Sequence, residues 1–225
     1  MNEKSALLYA KLNPFNCLLY RTRRFIKWAL TQVNNPYVAC SFGKDSSVML
    51  HLVLEQYPNV QIKMLGKTET SLIDDYDSII NWWEENYKCK VERIIYKGWL
   101  EGGTKKGIAK NMQADENDSY FVGIRQEESV ARRITLLKNG KFYKMKDGKI
   151  RIAPLSIWTT DDIAAYIVSK KLPLLKAYQR EGFEARTTTN IPSKYPHEAI
   201  ARLKDADIDA YNKLVTMFPD AKYFT

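Results

Sequence analysis

The 225-residue chain is poor in the residues that build metal-centred and covalent sites. It has three cysteines, Cys17, Cys40 and Cys89, and no C-x-x-C pair. Paired cysteines bind structural zinc and four-cysteine iron–sulfur clusters, and an even number of cysteines forms the disulfide bonds of small secreted domains. The sequence therefore predicts no zinc site, no iron–sulfur cluster and no disulfide framework. Its two histidines stand in no recognisable catalytic arrangement: His51 is predicted to be packed and hydrogen-bonded, and His197 to face solvent.

Long apolar runs are also missing. No stretch reaches the roughly 18 residues of a membrane helix. Arg21, Arg23 and Arg24 interrupt the only N-terminal apolar region, so no clean signal-peptide core is seen. These absences predict a cytoplasmic protein with no membrane partner. Hydrophobic residues make up 45% and charged residues 27% of the chain, which favours one globular domain with a sizeable core.

Negative charge is in the minority, with 26 Asp and Glu against 35 Lys and Arg, for a formal charge of +9. An excess of positive charge suits a phosphate-bearing ligand or a polyanion, because clustered cations release counterions from nucleic acid. A solvated lysine-rich surface would give the same total. A nucleic acid therefore stays open as a partner, and charge alone does not select it.

What the sequence does contain is a strand, a polar turn and a helix in quick succession. Tyr37–Cys40 is typical of a buried strand, 41–45 of a tight turn and 46–57 of an apolar helix. This layout places backbone N–H groups and a helix N-terminus around one concavity, which favours phosphate. Gly43 allows a backbone conformation, or a close ligand approach, that a Cβ would hinder. Lys44 adds a mobile positive charge.

Polar side chains of the turn complete this predicted site. Ser41 and Ser46 can donate hydroxyl hydrogen bonds to phosphate oxygens. Asp45 would repel a phosphate unless a cation intervenes, so its presence predicts Mg²⁺ held by this carboxylate and by ligand phosphates. The alternative is an ordinary strand-to-helix turn in which Asp45 or Ser46 caps the helix.

The string Ser41-Phe-Gly-Lys-Asp-Ser46 fits neither the Walker pattern nor G-x-G-x-x-G. It resembles the pyrophosphate-binding loop (PP-loop) of the adenine nucleotide α-hydrolase superfamily, in the S-x-G-K-D-S form of the phosphoadenosine phosphosulfate reductase family. That family includes true reductases, the small subunit of ATP sulfurylase and the ATP pyrophosphatases of DNA phosphorothioation. The resemblance implies that nucleotide phosphates contact the loop residues Ser41, Phe42, Gly43, Lys44, Asp45, Ser46 and Ser47.

A second strand-to-helix junction, at 121–133, is predicted to face the same crevice, since ligands bind at the carboxyl ends of parallel strands. Arg125 can make a bidentate contact to phosphate or sulfate. The segment resembles the family motif G-I-R-x-x-E-S-x-x-R, and 152–167 resembles its I-x-P-L-x-x-W-T-x-x-D-I-x-x-Y-I signature. A solvated helix with one Glu–Arg pair is the alternative. The resemblance implies a substrate side made of Gly123, Arg125, Glu128, Ser129, Arg132 and Arg133, joined by Arg186 of an R-T-T segment.

Strands alternating with helices predict an α/β fold: a doubly wound, mainly parallel sheet flanked by helices, as in the adenine nucleotide α-hydrolases. The predicted strands cover 59–65, 90–96 and 120–124, and the predicted helices cover 5–33 with a break at Pro14, 74–87 and 126–137. Asn139-Gly140 and Asp147-Gly148 predict a small β-hairpin, and Thr159 with Asp162 a capping box. Residues 1–225 are predicted to form a single domain, with a core at about 20–170 and a helical or irregular extension at 171–225. The segment 98–118 is either a lid or a surface loop.

Departures from the family bear on the reaction. No cysteine follows Cys89, so the C-terminal E-C-G-L-H thiol segment of assimilatory reductases has no counterpart. Leu65–Thr70 replaces the D-T-G that the family carries after the second strand, and Thr104–Gly107 stands where many relatives have cluster-binding cysteines. A thiol cycle within this chain alone is therefore not expected.

The leading hypothesis is an ATP pyrophosphatase-type enzyme that cleaves ATP to AMP, or to an adenylylated intermediate, and pyrophosphate in sulfur activation or transfer. It assigns catalysis to Lys44, Asp45 and Arg125, the metal to Asp45, and Mg²⁺ and ATP as cofactor and substrate. A phosphoadenosine phosphosulfate reductase relying on an external thiol and a non-catalytic nucleotide-binding subunit are the alternatives. An adenine nucleotide is the expected partner, and a nucleic acid, a sulfur-transfer protein and a homodimer stay open.

Overall fold

One six-stranded sheet organises the chain. The computed structural model describes residues 1–67, 75–96, 116–176, 178, 182–184 and 196–224. The strand order is β3-β2-β1-β4-β6-β5, with β5 antiparallel to β6 and every other pairing parallel. The strands are β1 Pro36–Ala39, β2 Gln61–Lys67, β3 Val91–Tyr96, β4 Ser119–Val122, β5 Phe142–Lys144 and β6 Ile150–Ile152. The predicted α/β class with a mainly parallel sheet and a hairpin is confirmed.

Helices flank this sheet. In the described ranges they are α1 Glu3–Tyr9, α2 Asn13–Leu30, α3 Lys44–Leu54, α4 Asp75–Tyr87, α5 Val130–Asn139, α6 Thr160–Lys170, α7 Pro196–Ala206 and α8 Ile208–Met217, with 3₁₀ turns at Gln126–Glu128 and Pro219–Phe224. None of these helices is both long enough and apolar enough to cross a bilayer.

The core explains why β1 and β4 are fixed side by side. Val38 pairs in register with Ile62 on one side and Phe121 on the other, and Phe121 pairs with Ile152. All four side chains are buried in the main apolar cluster together with residues of α2, α3, α4 and α6. Since apolar burial is the main driving force of folding, this row holds the carboxyl ends of β1 and β4 next to each other.

Local signals placed several element ends correctly. The helical N-terminus breaks ahead of Pro14, which stands in the first turn of α2. Gly140 ends α5 with φ 76°, and Gly148 turns the hairpin with φ 88°. At the start of α6 the Thr159 hydroxyl accepts from Asp162 N at 3.2 Å, and Thr159 N donates to the Asp162 carboxylate at 2.8 Å. The predicted capping box is confirmed.

Two helix starts differ from the prediction. The structure begins α3 at Lys44 and not at residue 46, because Gly43 with ψ 164° is the last extended residue. The predicted 126–137 helix is split into a 3₁₀ turn and α5. Arg125 N donates to the Glu128 carboxylate at 2.7 Å, which tightens the chain, and Ser129 then adopts an extended φ of −166° to cap α5.

The C-terminal part has an apolar cluster of its own. Its members lie on α7, α8 and the last 3₁₀ turn: Ile200, Leu203, Ala210, Tyr211, Leu214 and Ala221. The helical character predicted there is confirmed for 196–224, and His197 is exposed as predicted, with its ring 4.8 Å from that of Phe224. That both clusters belong to one domain stays a prediction. Most of the 98–118 segment and Arg186 lie outside the described residues.

Candidate active site

The turn after β1 has its unusual backbone at Phe42. Phe42 has φ 52°, while Gly43 has an ordinary extended conformation with φ −71°. A bulky residue in the left-handed region is strained, and here burial in the core and a hydrogen bond from its N–H to Cys40 Sγ at 3.4 Å hold it there. Gly43 is therefore not needed for backbone conformation. A Cβ at this position would lie 3.3 Å from the Tyr178 hydroxyl, so the glycine keeps a narrow space open.

The N-terminus of α3 has no side-chain cap. Its helical hydrogen bonds start with Ser47 N donating to Gly43 O at 2.9 Å, so the Asp45 and Ser46 amides precede the first intrahelical bond. Among the helices whose preceding residue the structure describes, the others are either capped by a side chain or, for α2, have Pro14 in the first turn. The capping residues are Asn2, Ser129, Thr159 and Asp207. The amides and the dipole at the start of α3 therefore favour negative charge.

Two loop hydroxyls bond to each other. Ser46 Oγ donates to Gly43 O at 3.0 Å, and Ser41 Oγ lies 3.1 Å from Ser46 Oγ. Because the Ser46 proton is used on the carbonyl, Ser41 is the donor of this pair. The two side chains therefore shape the loop in this conformation. Ser47 is fully buried, and its hydroxyl oxygen has no hydrogen-bond partner among the described residues.

Lys44 brings a buried positive charge to this end of α3. Its side chain is 9% exposed, and its Nζ lies 3.7 Å from an Asp45 oxygen and 5.1 Å from the ring centre of Tyr178. Burial lowers the pKa of Lys44, nearby Asp45 opposes this in part, and the positive charge of Arg125 adds to the lowering. A phosphate placed against the Lys44 ammonium would offset the lost hydration.

Arg125 is enclosed by protein acceptors. It is 2% exposed, and its Nε donates to Asp45 at 2.6 Å and its Nη1 to Glu127 at 2.6 Å. Nη1 also donates to the Trp158 carbonyl at 3.1 Å and Nη2 to the Thr160 hydroxyl at 3.4 Å. The guanidinium therefore does not present its bidentate fork to a ligand in this structure. It ties the first turn of α3 to the start of α6.

Glu127 completes this tie. Its carboxylate accepts from the Thr160 amide at 2.6 Å as well as from Arg125. Burial alone would raise the pKa of Glu127, but the hydrogen bonds from Arg125 and Thr160 bring it below its ordinary value. Glu127 is therefore a stable anion that caps α6 from outside and neutralises part of the buried guanidinium.

Asp45 was predicted to hold Mg²⁺, and its donor set does not fit that role. One carboxylate oxygen accepts from Arg125 Nε at 2.6 Å, and the other lies 3.7 Å from Lys44 Nζ. A hard divalent cation would have to compete with both of these positive groups. Across the part of the chain that the structure describes, no group of three or more His, Cys, Asp or Glu is placed to hold a metal. Asp45 is therefore a partner of Arg125 and Lys44 and is assigned no metal.

Gly123 lets the end of β4 touch the PP-loop helix. A Cβ at Gly123 would stand 2.9 Å from the Asp45 carbonyl carbon and oxygen and 2.9 Å from Ser46 Cα. These are backbone atoms, which cannot move aside cheaply. The glycine of the second motif is therefore required for contact between the two junctions.

The other predicted substrate-side residues do not reach this contact. Glu128 is ion-paired with Arg132 on the next turn, and the Ser129 hydroxyl accepts from Arg132 N at 3.2 Å. Arg132 and Arg133 are exposed on α5.

Sequence reasoning missed Glu127, Thr160 and Tyr178 as neighbours of the site. Glu127 lay inside the motif, while Tyr178 had no spacing signal that could have found it.

The geometry is that of an α/β protein with an anion-directed helix N-terminus at the carboxyl edge of a parallel sheet. Residues 35–196 match the phosphoadenosine phosphosulfate reductase domain family. The chain belongs to this family, and the resemblance inferred from its motifs is confirmed. The family is one of enzymes, and its named members support a sulfonucleotide-related activity.

The relatives are of two kinds, sulfonucleotide reductases and a subunit of sulfate adenylyltransferase. The phosphoadenosine 5′-phosphosulfate reductase of Buchnera aphidicola is 24% identical over 208 residues, covering 82% of this chain and 82% of the relative. The adenosine 5′-phosphosulfate reductase of Staphylococcus epidermidis is 26% identical over 167 residues, covering 66% and 67%. Sulfate adenylyltransferase subunit 2 of Aliarcobacter butzleri is 22% identical over 192 residues, and the match spans 68% of this chain and 63% of that relative.

Solved structures share the fold. The phosphoadenylyl-sulfate reductase of Candida auris, solved as a phosphate complex, superposes with a TM-score of 0.57 at 14% identity, covering 74% of this chain and 90% of that one. The U34-tRNA thiolase NcsA of Methanococcus maripaludis, solved with its [4Fe-4S] cluster, gives 0.51 at 17% identity, with 93% and 80% covered. At these identities the likeness concerns the fold.

Proposed function

We propose that the turn 41–43 and the N-terminus of α3 bind the phosphates of an adenine nucleotide and that the chain acts on the α-phosphorus of ATP. The observation that carries this proposal is the uncapped start of α3 beside the buried Lys44 ammonium. Both features favour a ligand with concentrated negative charge. Family membership supports a nucleotide as that ligand.

In this reaction an acceptor oxygen attacks the α-phosphorus, the bond to the bridging α–β oxygen breaks, and pyrophosphate leaves with the electron pair. ATP enters as its magnesium complex, which is the substrate. The α3 amides and Lys44 would stabilise the charge that grows on the leaving group. Arg125 would act as a positioning residue through Asp45, and Gly123 would keep the two junctions in contact. Some relatives are named subunit 2 of sulfate adenylyltransferase. The proposal therefore includes a second protein subunit that works together with this chain.

The second candidate is a sulfonucleotide reductase, favoured by relatives named as reductases. A thiolate would take the sulfonate sulfur, forming an S–S bond and releasing adenosine 3′,5′-bisphosphate, and a second thiol would then release sulfite and form a disulfide. Burial raises the pKa of Cys40 to about 12, so Cys40 is a poor thiolate source. Cys17 is exposed but stands on α2. In this candidate both thiols come from an external dithiol protein, because no cysteine of the chain contacts the described loop residues 43–47 except the buried Cys40.

One experiment separates these candidates. Purified protein is incubated with ATP and Mg²⁺, or with phosphoadenosine phosphosulfate and reduced thioredoxin, and the nucleotides are separated by chromatography. AMP and pyrophosphate from ATP support the first candidate, and adenosine 3′,5′-bisphosphate with sulfite supports the second. Lys44→Met should abolish either product, while Arg132→Ala should leave it. Tight nucleotide binding with no product from either substrate would contradict both and favour a binding subunit.

A further inference from the structure

The outward face of α2 is basic in its C-terminal half. Arg21, Arg24 and Lys27 are exposed, recur at helical spacing and therefore share one side of the helix. The helix contains no Asp or Glu, and residues 1–35 hold six basic residues and one acidic residue. At 1.5 Å per residue, the part of α2 from Arg21 to Lys27 spans about 9 Å. This face is a stripe of positive charge on a rigid support.

The three cations of this stripe have no carboxylate partner among the described residues. Arg23, on the adjacent side of α2, shows the contrast, because it donates to both oxygens of Glu55 at 2.8–3.0 Å. Arg24 instead lies over the ring of Tyr20 at 5.8 Å. Paired surface arginines stabilise a fold locally, whereas a row without acidic neighbours attracts an external anion.

An open cleft of about 550 Å³ lies on the same face and adds aromatic and amide groups to the charge. Its lining residues are Asn13, Asn16, Cys17, Tyr20, Arg21 and Arg24. Tyr20 is 61% exposed, so its ring is accessible for stacking beside the Arg24 guanidinium. Asn amides can both donate to and accept from a base edge.

We propose that this face, made of Asn13, Asn16, Tyr20, Arg21, Arg24 and Lys27, binds single-stranded nucleic acid. The cations would contact successive phosphates, and the Tyr20 ring would stack on an unpaired base. A duplex keeps its base faces stacked inside and would leave Tyr20 and the cleft unused. The inference goes beyond the proposed nucleotide chemistry and does not depend on which nucleotide the PP-loop takes.

The position of α2 suits a strand that reaches the PP-loop edge. Residues 31–35 join the C-terminus of α2 to the start of β1, so the helix runs antiparallel to that strand. At its other end, Phe15 packs on the Trp158 ring at 6.0 Å, and the Trp158 carbonyl accepts from Arg125 at 3.1 Å. The cleft end of α2 therefore lies towards the edge of the sheet that carries Asp45 and Lys44.

A membrane surface fits this face less well. Basic helices that lie on bilayers insert an apolar side below the charges. In α2 the apolar side, with Phe15, Ile26 and Ala29, is buried in the protein core. The exposed side offers asparagines and arginines around the cleft. Anionic vesicles therefore serve as the test of this rival.

The test is fluorescence anisotropy of the full chain with labelled mixed-sequence 20-mers of RNA, single-stranded DNA and duplex DNA, titrated at several salt concentrations. Arg21→Ala/Arg24→Ala and Tyr20→Ala are compared with Lys144→Ala/Lys146→Ala. The control removes two exposed positive charges from the β5–β6 hairpin, so it matches the first variant in net charge. Thermal melting checks that each variant is folded.

We expect single strands to bind more tightly than duplex. The double arginine variant should lower the slope of log affinity against log salt by about 1.4, since each phosphate contact to a single strand contributes about 0.7. Tyr20→Ala should weaken binding about 5-fold or more with an unchanged slope. Preference for RNA or DNA would then identify the source of the strand. Equal losses in the hairpin control, duplex binding as tight as single strands, or binding only to phosphatidylglycerol vesicles would overturn the proposal.

Discussion

The junction after β1 and the junction after β4 start alike and end differently. Each junction follows one of two neighbouring parallel strands and leads into a helix. Each also carries a basic residue of a family motif. After β1 the helix start has no side-chain cap, and Lys44 is buried with its pKa lowered. After β4, Ser129 caps α5, and Arg125 is enclosed by Asp45 and Glu127 at 2.6 Å each.

The difference shows that a basic residue in a phosphate-associated motif can belong to the scaffold. Two carboxylates compensate Arg125, so it has little attraction left for a ligand. Burial lowers the pKa of Lys44 in spite of the nearby carboxylates, and a phosphate would favour its charged form. In the function proposed above, the first junction receives the anion and the second holds the first in place.

The largest expected effect comes from removing the guanidinium of the second junction. Arg125→Ala should lower the free energy of unfolding by about 3–5 kcal/mol, because Asp45 and Glu127 would lose their buried partner. Urea unfolding followed by circular dichroism measures this. Arg132→Ala, which removes an exposed pair with Glu128, is the control and should cost less than about 0.5 kcal/mol. Equal small losses in both variants would contradict the scaffold role of Arg125.

Substitutions at the two glycines should show that Gly123 is needed for contact between the junctions, whereas Gly43 is not needed for stability. Gly123→Ala should destabilise the protein by about 1–3 kcal/mol, because its Cβ would press on the Asp45 backbone. Gly43→Ala should cost less than about 1 kcal/mol, since its backbone is ordinary and its nearest neighbour is the end of the Tyr178 side chain. Melting temperatures in the absence of ligand test this order. A reversed order would show that the junctions do not touch as described.

Lys44 should behave as a ligand-binding cation and not as a stabilising one. Lys44→Met should weaken pyrophosphate binding about tenfold or more, as expected for loss of a charge-assisted hydrogen bond. Unfolding stability should not fall, because burial lowers the pKa of Lys44 and so disfavours its charged form in the folded protein. In the native protein the charge is present below this pKa, so affinity should decline as pH rises through it. Pyrophosphate calorimetry at increasing pH checks this, and an affinity that rises with pH would count against the assignment.

A pH-dependent effect concerns the contact between α3 and α6, which lies behind both junctions. His51 Nδ1 lies 2.8 Å from the Tyr166 hydroxyl and joins α3 to α6. Burial lowers the pKa of His51 to about 4, with Glu55 opposing and Lys170 and Arg23 assisting. An unfolded histidine titrates near 6.5, so the unfolded chain binds more protons between about 6.5 and 4, and stability should fall as pH falls through this window. His51→Phe should flatten that decline in urea midpoints, and an unchanged slope would exclude His51 as its source.

Local chemistry was predictable from the sequence, and so was the fold class. Pro14, the capping box at Thr159 and the turn at Gly148 each act through neighbours a few residues away, so spacing alone indicated them. The prediction that His51 is buried and hydrogen-bonded is likewise confirmed. The first three features depend on short-range geometry, whereas the hydrogen bond of His51 joins it to Tyr166, 115 residues away.

What the sequence could not indicate was which polar and charged groups would contact each other in the folded chain. The contact between Glu127 and Thr160 joins residues 33 positions apart, and that between Asp45 and Arg125 joins residues 80 apart. Such pairs depend on strand order and on the close approach at Gly123, neither of which a motif contains. The motifs therefore indicated residues of both junctions while leaving open which of them face a ligand.

Calorimetric titration of pyrophosphate into the wild-type protein, Gly43→Ala and Arg132→Ala/Arg133→Ala decides which junction binds the anion. We expect the wild type and the double arginine variant to bind with similar affinity. Gly43→Ala, although folded, should bind about tenfold more weakly or not at all, because its methyl group narrows the space beside the start of α3. Unchanged binding in Gly43→Ala together with lost binding in the arginine variant would instead place the anion site on α5.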